Sequence, residues 1–67
     1  MIEVNVNGAA QQCEPNTSVS ALLERMQLAG KRVAVERNGE IVPRSRFAQT
    51  PLTNGDQLEI VIAVGGG

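Results

Sequence analysis

Ile2, Val4 and Val6 alternate with Glu3, Asn5 and Asn7, the period-two pattern of a strand with one face in a core. Asn7-Gly8 follows, a pair suited to the positive φ angles of a type I′ turn, and Ala9 to Glu14 makes a weaker return strand. A two-residue turn sets Val6 against Ala9, Val4 against Gln11 and Ile2 against Cys13. That register puts Cys13 on the core side but Gln11 as well, which leaves a slightly longer loop as the alternative. Pro15-Asn16-Thr17-Ser18 then ends the strand and opens a helix with Ser18 as its N-cap. Val19, Leu22, Leu23 and Met26 fall at i, i+3, i+4 and i+7 and form one apolar stripe. Gly30 is the expected residue just past the helix end, with Lys31 and Arg32 complementing the negative pole. A helix of about ten residues does not persist alone in water, so its stripe must pack on a sheet.

Val33 and Val35 begin a third strand, and Asn38-Gly39 is a second hairpin signal. Here Arg37 faces Glu40, an opposite-charge pair worth roughly 0.2–1 kcal/mol. Val35 meets Val42 on the inner face, and Ile41 sits beside Glu36 on the outer one. Pro43 lacks a ladder donor, which predicts a short or edge strand. The stretch from Arg44 to Thr50 is irregular, with a helical turn expected around Phe47. Thr53-Asn54-Gly55-Asp56 is a further turn, and Gln57 to Ala63 is the last strand. Leu58, Ile60 and Ile62 share one side of it; on the other, Glu59 is followed by Val61 and Ala63. Apolar residues on both faces predict a strand interior to the sheet. The same residues, with Val64 and Ile41, equally suit a partner surface, and a central strand running out beyond the sheet satisfies both readings.

The sequence finishes Gly65-Gly66-Gly67. Three residues without side chains can thread a channel too narrow for a Cβ, and from Val64 they span roughly 13 Å when extended. The reactive group they present is the carboxylate of Gly67. A loose chain end or an expression scar is the plainer reading of such a run. A carboxylate is a poor acyl donor until activated; an ATP-using partner would convert it to an acyl adenylate with AMP as leaving group. Sulfide or a persulfide would then give a thiocarboxylate, and an amine would give an amide.

Composition narrows the rest. Sixty-seven residues make one small domain with no room for a cleft between subdomains. Six Lys and Arg stand against seven Asp and Glu, and Phe47 is the single aromatic residue. That balance offers neither the basic footprint nor the stacking platform that nucleic acids require. There is no histidine, and Cys13 is the one cysteine, so neither a CxxC pair nor a zinc site of Cys and His can form. Cys13 lacks a basic partner and reads as a buried structural thiol. No Gly-rich loop precedes a helix, and Glu14, Glu24 and Asp56 fall on separate elements. The chain is therefore expected not to be an enzyme and to bind no metal. Glu36, Glu40 and Arg44 read as solvated charges. The start, Met1-Ile2-Glu3-Val4, lacks a signal-peptide pattern, and the apolar run from Ile60 to Val64 is far short of a membrane span, which predicts a cytoplasmic protein.

A hairpin at the start, one helix, short strands and a final strand running into Gly-Gly resemble the ubiquitin-like β-grasp fold. This is an α+β class with a mixed sheet of four to five strands packed on one helix. Its expected division here is a domain over residues 1–64 and a flexible tail over 65–67. Within that fold, Asn38-Gly39-Glu40-Ile41-Val42-Pro43-Arg44, the Asn54-Gly55-Asp56 turn and the Gly66-Gly67 ending resemble the ThiS family of sulfur carriers in thiamine biosynthesis. The resemblance covers essentially the whole chain. It implies that a ThiF-like adenylating enzyme activates Gly67 with ATP and magnesium. Sulfur from a cysteine desulfurase or another donor is then loaded as a thiocarboxylate, and thiazole synthase takes it for the thiazole ring. Gly66, Gly65 and Val64 become the tail that partners read, and Ile41, Val61 and Ala63 a docking face on a chain that is monomeric when free. Gly65 departs from the usual pattern, where another small or apolar residue is common. The alternatives are the small subunit of molybdopterin synthase or another sulfur carrier, a ubiquitin-like modifier conjugated through Gly67, and an interaction module whose glycines do nothing.

Overall fold

The computed structural model describes residues 1–63; Val64, Gly65, Gly66 and Gly67, and with them the expectation of a mobile tail, lie outside the described residues. In chain order the elements are β1 (Ile2–Val6), β2 (Ala9–Cys13), α1 (Val19–Arg25), β3 (Val33–Arg37), β4 (Glu40–Val42), a 3-10 helix (Arg44–Gln49) and β5 (Gln57–Ile62). The five strands form one mixed sheet in the order β2-β1-β5-β3-β4. β5 runs parallel to β1 and antiparallel to β3, so the last strand is the central one.

Both Asn-Gly pairs act as the turn chemistry requires. Asn7 and Gly8 have φ of 52° and 88°, Asn38 and Gly39 of 51° and 87°, the two successive positive angles of a type I′ turn. The first hairpin takes the two-residue register, with Ile2 opposite Cys13, Val4 opposite Gln11 and Val6 opposite Ala9. Cys13 is buried and Gln11 half-buried. The second hairpin pairs Val35 with Val42, Glu36 with Ile41 and Arg37 with Glu40. Pro43 follows β4, which is three residues long and lies at the sheet edge.

The helix is shorter than its pattern suggested. Ser18 caps it through a 3.0 Å bond from the Ala21 N–H to its Oγ, and Val19, Leu22 and Leu23 are buried against the sheet. It ends at Arg25, and Gln27, not Gly30, takes the left-handed position at φ 62°. Bonds from Leu28 N to Leu23 O (2.8 Å) and from Gln27 N to Glu24 O (3.0 Å) form a Schellman motif, which lets Leu28 fold back onto the core. Gly30, at φ 83°, serves the next turn, closed by Lys31 N to Leu28 O. Arg25 is thus the basic residue of the last helical turn, and Lys31 and Arg32 lie beyond it.

The core joins Val4, Val6, Cys13, Val35, Leu58 and Ile60 of the sheet to Val19, Leu22 and Leu23 of the helix, with Leu52 closing it from the loop before β5. Leu52 is pinned by its N–H to Thr17 O, 2.8 Å. Among the described residues no helix is long and apolar enough to cross a membrane.

Candidate functional site

The strand that leads toward the glycines is fixed on both sides. On the β3 side the ladder extends one residue past β5, where Ala63 N donates to Arg32 O at 2.9 Å. On the β1 side, Asn5 N and Asn7 N donate to Asp56 O and Leu58 O, each at 2.9 Å. The β1 backbone then turns away, and the Asn7 side chain takes over as the pairing partner. Its Oδ1 accepts from Ile60 N at 2.8 Å and its Nδ2 donates to Ile60 O at 3.1 Å. One amide thus reproduces the donor and acceptor of a missing strand residue. Sequence reasoning had given Asn7 only its turn role, because nothing local shows which strand its side chain will meet.

β5 is anchored at its start by a buried carboxylate. Asp56 is only 3% exposed and accepts four hydrogen bonds. Arg37 Nε (2.8 Å) and Thr53 N (2.8 Å) donate to Oδ2. Asn38 Nδ2 (3.0 Å) and the Thr53 hydroxyl (2.9 Å) donate to Oδ1. Burial alone would raise its pKa; the guanidinium of Arg37 and the bonds from Thr53 and Asn38 outweigh it and bring the carboxyl from 3.8 down to about 2. The expected Arg37–Glu40 charge pair is therefore corrected. The two residues are opposite in register, but the Arg37 ion pair is with Asp56, whose buried oxygens need the donors that an exposed Glu40 can obtain from water.

The outer face of the sheet carries the residues that the sequence suggested as a docking face. Ile41 and Val61 are 66% and 63% exposed, and Ala63 is exposed as well. Val61 lies opposite Ala34 on β3, and two residues along β3 Glu36 lies between Ile41 of β4 and Glu59 of β5. The alternation of strand side chains puts all of these on the face away from α1. Glu36 and Glu59 are direct cross-strand partners, a juxtaposition that the sequence reading did not contain. Beside them an open concavity of about 590 Å³ lies between the two hairpin turns, lined by Asn5, Asn7, Gly8, Gln57 and both glutamates among others. Among the described residues no three metal-ligating side chains come together. The site thus offers a firmly held strand and a surface, and its named reactive group, on Gly67, lies outside the described residues.

The ThiS family profile matches residues 4–67. The chain belongs to the ThiS family. It is 38% identical over 65 residues to the sulfur carrier protein ThiS of Bacillus subtilis, covering 96% of this chain and 98% of that protein. The fold is that of the ThiS thiamine biosynthesis protein from Geobacter metallireducens, with a TM-score of 0.82 at 32% identity, covering 98% of this chain and all of that one. A thiazole synthase of Paramagnetospirillum magneticum is 45% identical over 62 residues, which are 92% of this chain but 19% of that protein. The chain thus spans about a fifth of the length of the thiazole synthases it matches. The five-stranded mixed sheet with one helix is the ubiquitin-like β-grasp fold of this family.

Proposed function

We propose that this chain is a sulfur carrier of thiamine biosynthesis, acted on by enzymes and not itself a catalyst. The observation that carries this reading is the ThiS match running through to Gly67, on a chain whose central strand is clamped to the sheet as far as Ala63. A ThiF-like adenylating enzyme would use ATP and magnesium to join the Gly67 carboxylate to AMP, releasing pyrophosphate. Sulfide would displace AMP directly. A persulfide would displace it to leave an acyl disulfide, from which a thiol reductant releases the thiocarboxylate. The glycines leave the carbonyl unhindered, with Val64, Gly65 and Gly66 as the segment threaded into the enzyme, and Ile41, Val61 and Ala63 as the docking face. Thiazole synthase as the sulfur acceptor is supported by the thiazole synthases that carry a segment similar to this chain within one polypeptide.

Intact mass tests the reading. Incubated with the cognate adenylating enzyme, ATP and a sulfur source, the chain should exchange one oxygen for sulfur. Deleting Gly67, or adding a residue after it, should abolish that exchange without altering the fold. Loading that survives either change refutes the carrier role. Attachment to lysines of other proteins would appear instead as larger covalent adducts.

A further inference from the structure

We propose that the outer face of the sheet receives an arginine of the adenylating enzyme, seated between Glu36 and Glu59; this rests on the reading of that face as the docking surface. Like charges directly opposite one another on neighbouring strands destabilise a sheet. Glu36 and Glu59 are held in that relation by the β3–β5 register, and among the described residues neither has an ion-pair partner. The nearest cation along β3, Arg37, is committed to the opposite face, where its Nε bonds Asp56 and its Nη2 reaches Thr53 Oγ1 at 3.4 Å. The fold therefore uses its local positive charge inside and leaves the two carboxylates without compensation outside.

The surroundings specify the missing group. The concavity of about 590 Å³ beside the pair is lined by these two glutamates, carboxamides of Asn5, Asn7 and Gln57, and backbone, with no basic side chain. A planar guanidinium presents several donors in a fixed fork and matches two neighbouring carboxylates better than a compact ammonium does. Ile41 and Val61 flank the pair as large exposed apolar residues. Once covered by a partner they would exclude water and strengthen the charge contact. The arrangement is unfavourable in the free protein and favourable in the complex, so it adds selectivity for a partner with an arginine at that point.

The test measures binding of the full chain to its cognate adenylating enzyme at about 50 and 300 mM salt, a range over which exposed charge contacts are strongly screened. Glu36→Gln combined with Glu59→Gln should weaken binding roughly tenfold or more at low salt and flatten its salt dependence, while thermal stability stays level or rises. Glu59→Lys should replace repulsion within the sheet by attraction, raising stability, and should weaken binding further. Ile41→Asp tests the underlying docking reading and should also abolish tight binding. If Ile41→Asp abolishes binding but the double glutamine variant binds as the parent does at both salts, or more tightly, the arginine contact is refuted and the docking face stands. If Ile41→Asp binds normally as well, the docking reading itself is overturned.

Discussion

Glu36 and Arg37 are neighbours on β3, yet they face two different electrostatic environments. Arg37 lies on the α1 side, where it and three other donors satisfy both oxygens of Asp56. Glu36 lies on the outer side, opposite another glutamate and flanked by exposed Ile41. The same pair of strands thus carries a neutralised, buried charge on one face and an unneutralised acidic pair on the other. The inner arrangement ties the β3–β4 turn to the start of β5 and belongs to stability. The outer one gives the folded monomer nothing; in the contact proposed above, its use would be recognition.

Removing the inner charge should have the largest effect. Asp56→Ala leaves Arg37, Asn38 and Thr53 without their acceptor and should destabilise by about 3 kcal/mol. In a domain of this size that lowers Tm by on the order of 15 °C, measurable by thermal circular dichroism. A smaller but related effect comes from acid. The Asp56 pKa is depressed in the folded state, from 3.8 to about 2, so its contribution is complete above about pH 4 and lost as the pH falls toward 2. The loss amounts to roughly 2 kcal/mol, and denaturant titrations between those values should show it in the parent and not in Asp56→Asn. The outer face should respond least and in the opposite direction. Glu36→Gln removes a like-charge contact and should stabilise by roughly 0.2–1 kcal/mol, read from the urea midpoint. A clear destabilisation by Glu36→Gln would break the division of labour between the faces.

Local signals made much of the fold legible. The Asn38-Gly39 turn fixed the second hairpin register, because a type I′ turn leaves little freedom in the pairing that follows. Asn7-Gly8 suggested the first one, which Gln11 on the core side left open to a longer loop and which the structure settles as the two-residue register. The Ser18 cap, the stripe from Val19 to Leu23 and the central, two-faced last strand were equally readable. The helix end was misplaced because Leu28 packs back on the core, and that tertiary contact holds Gln27 in a conformation Gly30 would adopt more easily. The links of Arg37 to Asp56, Asn7 to Ile60 and Glu36 to Glu59 were not readable. Each depends on the register between strands that no short turn connects. Of the site, Ile41, Val61 and Ala63 were named as a partner surface beside a sheet-interior reading of the last strand, and all three are exposed. The acidic pair between the first two emerges only once β3 and β5 are aligned.

The central position of β5 also orders the events of folding. Each hairpin can form from neighbouring residues, but β1 and β3 do not touch as strands; both wait for β5. Contacts such as Asn7 with Ile60 close a loop of 53 residues, which makes insertion of β5 a slow and late step relative to hairpin formation. The pairing of Glu36 with Glu59, and the placing of Val61 beside Ala34, are created by that step and do not exist before it. An enzyme that reads this face therefore inspects a finished molecule. Partly assembled chains, although they carry the same glycines, would present no matching surface and would escape activation.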